Sequence, residues 1–104
     1  MTTLVFDQEF NIARDTPSDI NEHMEVLKGL ADEVDHVTEM GTRTGVSTRA
    51  FLASDVTLRA YDLFLDEYVS KLFELAQKEG KDAKYIGSNV LETEIDETDL
   101  LFID

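Results

Sequence analysis

The chain has 104 residues, with 9 Lys plus Arg against 23 Asp plus Glu and a formal net charge of −14. That length predicts one domain with a modest core, and the charge argues against nucleic acid and anionic membranes as partners, since no Lys/Arg cluster offsets it. Without cysteine, neither a disulfide framework nor a thiolate metal site is available, and a cytoplasmic setting is expected.

At the N-terminus, Asp7 and Glu9 fall where a signal peptide needs basic and then apolar residues, so none is expected. No run approaches the roughly 20 apolar residues of a membrane span, and His23 and His36 lack metal-ligand spacing. Residues 1–15 contain Leu4-Val5-Phe6 and Phe10-Asn11-Ile12, which predict a short strand or an extended arm. Thr16-Pro17-Ser18-Asp19 then reads as a helix start, with Thr16 as cap, Pro17 in the first turn and Asp19 favoured by the dipole. Ile20, Met24, Leu27, Ala31 and Val34 follow at helical spacing and predict one packed face.

Residues 36–41 predict the first strand, and residues 45–53 a helix with Val46, Ala50 and Ala53 on one face and Arg49 outward. The second strand is expected over 56–62. Leu65, Tyr68, Val69, Leu72, Phe73 and Ala76 recur at helix spacing, and Gly80 supplies the stop. A third strand is expected near Lys84 to Gly87, and the apolar run from Asp99 to Asp104 reads as a buried parallel strand. This alternation predicts an α/β Rossmann-like parallel sheet in the order 3-2-1-4. Ligands of such sheets bind beyond the carboxyl ends of the strands.

Four groups are expected to converge there: Glu39 with the Gly41–Gly45 turn, Asp62, the Ser88-Asn89 pair and Asp104. Gly41 permits a sharp turn, Gly45 a close backbone approach, and the next helix presents unpaired N–H groups. A dinucleotide site wants G-x-G-x-x-G, whereas Arg43 holds the second glycine position here and Val46 the last. Asp62 lies about 20 residues beyond the turn, where a ribose-binding carboxylate belongs; the competing reading is a helix-start acid, since Asp66 and Glu67 follow.

Other residues carry paired readings as well. Arg43 either meets a carboxylate of the ligand or balances Glu39 or Asp62 at the surface. Thr44 and Ser47 are helix caps by default. Tyr61 and Phe64 either stack on a base or pack, and His23 is either an exposed helix residue or a proton carrier.

Glu39-x-Gly41-x-x-x-Gly45 resembles motif I of the class I S-adenosylmethionine-dependent methyltransferases, with Arg43 replacing the middle glycine. Together with Thr16 to His23 and the closing Leu101-Phe102-Ile103-Asp104, it resembles a group of methyltransferase-like proteins common in viral and environmental sequences. The resemblance implies S-adenosylmethionine as cofactor, the first half of the class I fold, and methyl transfer to an unknown acceptor. It implies that Glu39, Gly41 and Gly45 hold the methionine part, with Thr42, Arg43 and Ser47 of the same turn counted among the cofactor-binding residues. Asp62, with Leu63 beside it, takes the ribose hydroxyls, Asn89 the adenine edge, and Asp104 lies near the methyl group as the one catalytic candidate.

Family members continue for three more strands, so the fourth strand here would be an apolar edge, and self-association through it or the adjoining helices is expected. A viral source would make the setting the host cytoplasm. Two alternatives stand beside methyl transfer. One is an enzyme cleaving the cofactor without an acceptor, and the other is a non-catalytic cofactor-binding or assembly module.

Overall fold

In the computed structural model, residues 4–88 and 97–103 are described. Asn89 and Asp104 lie outside them. The elements in chain order are α1 (Leu4–Asp15), a 3-10 turn (Asn21–His23), α2 (Met24–Asp32), β1 (His36–Met40), α3 (Val46–Leu52), β2 (Thr57–Asp62), α4 (Glu67–Lys78), β3 (Ala83–Gly87) and β4 (Leu100–Ile103). The sheet runs β3-β2-β1-β4 and every pairing is parallel, as the alternation of elements predicts.

The N-terminal segment departs from its expectation of strand or extended arm. It forms α1, because Phe6, Phe10 and Ala13 fall at i, i+4 and i+7 and are all buried; this helical period outweighs the short apolar runs. Thr16 does not cap the following helix. Its Oγ1 donates to the Ile12 carbonyl at 2.6 Å and closes α1 instead. Ser18 N–H donates to Asn21 Oδ1 at 3.0 Å, so the turn is built before α2 begins at Met24.

The period of two in the strands decides which side chains meet the helices. Register places Val37 beside Leu58 and Leu100, and Glu39 beside Ala60 and Phe102. Ala83 and Tyr85 extend those two rows on β3. This face carries the core: Phe51 of α3 meets Phe102 edge-on at 5.7 Å, and Phe73 of α4 stacks on Tyr85 at 5.2 Å. Helices α1 and α2 pack on α3, which makes one helical layer over one sheet face. Truncating a side chain such as Phe51, fully buried here, costs about 3–5 kcal/mol in cores of this kind.

Three further expectations are corrected. β4 is not buried on both sides: Leu100 and Phe102 face the helices, while Leu101 and Ile103 are exposed at 45% and 70%. Leu65, expected in the helix, precedes α4, which starts only at Glu67 with Asp66 accepting from Val69 N–H at 3.0 Å as its cap, and Tyr68 lies within α4 but is exposed. Arg49 does not simply point outward. Its guanidinium lies 5.2 Å over the Tyr68 ring, and its Nε is buried without a hydrogen-bond partner.

Candidate functional site

The β1–α3 loop combines unusual backbone angles with an acidic anchor. Gly41, Arg43 and Gly45 all have positive φ, at 90°, 50° and 87°. For Arg43 this is a sparsely populated region that the surroundings must enforce. Asp62 at the end of β2 supplies the enforcement. Its Oδ2 accepts from Thr42 N–H at 3.0 Å, Arg43 N–H at 2.9 Å and Thr42 Oγ1 at 3.2 Å, while Oδ1 accepts from Phe64 N–H at 3.2 Å. Gly41 N–H also reaches the Tyr61 carbonyl at 2.8 Å, so the loop leaves β1 still bound to β2.

These bonds set the ionisation of Asp62. Desolvation pushes its pKa up, but the N–H groups of Arg43 and Phe64, with the hydroxyl and N–H of Thr42, together outweigh it and hold the carboxyl below its ordinary value. The helix-start reading of Asp62 fails because Asp66 already fills that place. Tyr85, on β3, ties the two acids together. Its Oη accepts from Asp66 N–H at 2.9 Å and lies 3.1 Å from Thr42 Oγ1, which makes a chain of polar groups ending on Asp62.

Glu39 sits beneath the loop, on the helical face of β1, and is fully buried. Its carboxylate accepts from Ser47 Oγ and, at 2.7 Å, from Thr48 Oγ1, both in the first turn of α3. Capping is therefore not what Ser47 does. The helix begins at Gly45 without any side-chain cap, and exposed Thr44 supplies none either. A Cβ on Gly45 would come 2.8 Å from Val69 Cγ2, so this glycine answers to the packing of α4 as well as to its φ.

Beside the loop lies a cavity of about 40 Å³ lined by Asp19, Ile20, Thr42, Arg43, Thr44, Val46 and Ser47. Arg43 reaches across to Asp19, Nη1 to Oδ2 at 3.1 Å. Neither of the acids expected to balance it, Glu39 or Asp62, takes that salt bridge. Past Asp62, Leu63 and Phe64 are exposed at 59% and 81%, whereas Tyr61 is buried. Ser88 N–H donates to the Asp62 carbonyl at 3.0 Å, which sets the end of β3 on the same rim. His23 is exposed at the 3-10 turn and is not among the residues lining this cavity, though its N–H donates to the carbonyl of Ile20, which is, at 2.9 Å.

The structure thus brings Glu39, Gly41, Thr42, Arg43, Gly45, Ser47, Asp62 and Leu63 to one end of the sheet. Sequence reasoning missed Thr48, Tyr85 and Asp19 there. Thr48 follows Ser47 and was open to the same hydroxyl argument, but Tyr85 carries no local motif and the motif around Asp19 reads only as a helix start. Among the described residues, no group of three His, Asp or Glu could hold a metal ion, and no helix is long and apolar enough to cross a membrane.

The fold is a Rossmann-like parallel α/β sheet in the order 3-2-1-4. The SAH-bound methyltransferase PaMTH1 of Podospora anserina superposes with a TM-score of 0.63 over 98% of this chain at 18% identity. This chain spans half the length of that one. No protein-family model and no curated protein matches the chain.

Proposed function

We propose that the chain binds S-adenosylmethionine at the rim formed by the Gly41–Gly45 loop and Asp62, and that it serves methyl transfer to an acceptor. One observation carries this reading. Asp62 holds the loop N–H groups of Thr42 and Arg43 directly, so the glycine turn and the acid of β2 are one hydrogen-bonded unit at the carboxyl ends of the strands, where α/β sheets bind ligands.

The acceptor that Asp62 presents fits a nucleoside hydroxyl. Asp62 Oδ2 is already taken by three donors and Oδ1 by one, which leaves Oδ1 with room for a ligand hydroxyl. Leu63 and Phe64 offer apolar surface to a base on the same side. The net charge of −14 favours a cationic ligand over an anionic one. When bound, the cofactor supplies an electrophilic sulfonium methyl; the chain's own residues contribute binding and orientation, and bringing the methyl in line with an acceptor is most of what such a reaction needs.

Asn89 and Asp104 keep their proposed places at the adenine edge and near the methyl group. Self-association through β4 belongs to the same reading, since Leu101 and Ile103 expose apolar surface at the sheet's edge. Sedimentation showing a monomer at high concentration removes that part.

Calorimetric titration with S-adenosylhomocysteine, followed by product analysis after incubation with S-adenosylmethionine, tests the whole. Binding plus a methylated acceptor supports transfer. Turnover without any acceptor points to cleavage, binding without turnover to a non-catalytic module, and absence of binding overturns the proposal.

A further inference from the structure

We infer that Tyr85 is a positioning residue of this site: its hydroxyl, acting through Thr42, aligns the Asp62 carboxylate for a ligand hydroxyl. This role rests on the cofactor reading above and extends it to a side chain that stands behind the residues facing the ligand.

Counting protons gives the direction of the contacts. Three side chains lie in series, with Tyr85 Oη 3.1 Å from Thr42 Oγ1 and Thr42 Oγ1 3.2 Å from Asp62 Oδ2. A hydroxyl has one proton to give, and an ionised carboxylate can only accept. Thr42 is 1% exposed, so its hydroxyl is shut off from solvent and its proton goes to Asp62. Tyr85 Oη already accepts from Asp66 N–H at 2.9 Å, which leaves its own proton for Thr42. The bonds therefore all point one way, from Asp66 N–H through Tyr85 and Thr42 to Asp62, the arrangement in which each polarises the next.

The phenol itself is held from two sides. Its ring stacks on Phe73 of α4 at 5.2 Å and 15° from parallel, and Asp66, whose N–H it accepts, is the N-cap of that same helix. The link after β2 is thereby bracketed, with Phe64 N–H fixed to Asp62 Oδ1 and Asp66 N–H to Tyr85. Oδ2 of Asp62 is taken up by Thr42 and Arg43, so Oδ1 is the oxygen with capacity for a ligand. Against desolvation, the bonds from Arg43, Phe64 and Thr42 keep this carboxyl below its ordinary value and hence charged. Both hydroxyl contacts are long for O–H donors, so the effect expected of Tyr85 is modest.

Tyr85→Phe removes the hydroxyl and keeps the ring on Phe73. In ligand-free protein labelled at the aspartate carboxyl carbons, Asp62 should titrate at higher pH in Tyr85→Phe than in wild type, and Thr42→Val should move it the same way. Adding Tyr85→Phe to Thr42→Val should move it no further, a result that a purely structural role for Tyr85 does not produce. By calorimetry at neutral pH, S-adenosylhomocysteine should bind Tyr85→Phe about threefold to fivefold more weakly than wild type, with the amide shifts of Asp35 and His36 at the far end of the sheet unchanged. An Asp62 titration indifferent to Tyr85→Phe, effects that add fully in the double variant, equal affinity of Tyr85→Phe and wild type for the ligand, or displaced Asp35 and His36 amides each overturn the positioning role and leave the cofactor reading standing. Failure of wild type to bind S-adenosylhomocysteine overturns both.

Discussion

The two ends of the sheet use the same chemistry under different backbone conditions. At the amino ends of the strands, Asp99 accepts from the N–H groups of Asp35 and His36 at 3.2 and 3.0 Å, tying β4 to β1, and Arg59 pairs with Asp82 at 2.9 Å. At the carboxyl ends, Asp62 likewise accepts backbone N–H groups, yet the loop it holds contains three of the four positive-φ residues among those described, with only Gly80 at the other end. A carboxylate that fastens regular strands needs no strained partner. One that holds a bent loop beside a cavity keeps in place a geometry the chain would otherwise leave, and such strain gathers at functional sites.

Glycine substitution breaks this comparison most sharply. Gly45→Ala should cost about 3–4 kcal/mol, combining a left-handed conformation with a Cβ forced against Val69. Urea unfolding reads the loss, and Val69→Ala in the same chain should recover part of it. Asp62→Ala should cost about 3 kcal/mol, because it strands the donors of Thr42, Arg43 and Phe64.

The charge of Asp62 also predicts a pH signature. Its folded pKa lies below the unfolded value of about 3.9, so its contribution is complete above that value and is lost as pH falls through the folded one. Between about pH 5 and pH 2, stability should therefore fall more steeply in wild type than in Asp62→Asn, as followed by urea midpoints. Equal slopes would mean that the carboxylate holds the loop no better than an amide.

Smaller effects sharpen the picture. Thr48→Val keeps the shape but removes a donor from the buried carboxylate of Glu39 and should cost about 2 kcal/mol. Gly80→Ala should cost only about 1 kcal/mol, since nothing lies within 4 Å of the added Cβ and the φ of 85° alone is penalised. A loss at Gly80 equal to that at Gly45 would erase the distinction between the two ends.

Much of this was legible in the sequence because strand and helix periods are local. β1, α3, β2, α4 and β3 lie within a few residues of where apolar spacing puts them, and the order 3-2-1-4 follows from parallel crossovers. The N-terminus was misread because Phe6, Phe10 and Ala13 mark a helix only when spaced residues are weighed above adjacent ones. The site was legible in its motif residues, which are bound to glycine geometry and to the end of a strand. Tyr85 and Asp19 were not, because each reaches the loop through tertiary contact, 43 residues away from Thr42 in one case and 24 from Arg43 in the other. The commitment of Glu39 to Ser47 and Thr48 was hidden for a related reason. A carboxylate beside a turn looks the same in sequence whether it faces a ligand or the underside of a helix.

Amide chemical shifts of the labelled protein during titration with S-adenosylhomocysteine address the central claim most directly. Thr42, Arg43 and Phe64, whose N–H groups all end on Asp62, should show the largest changes, while the amides of Asp35 and His36 at the other end of the sheet stay in place. Changes centred on that other end, or none at saturating ligand, would contradict a nucleoside rim built from the Gly41–Gly45 loop and Asp62.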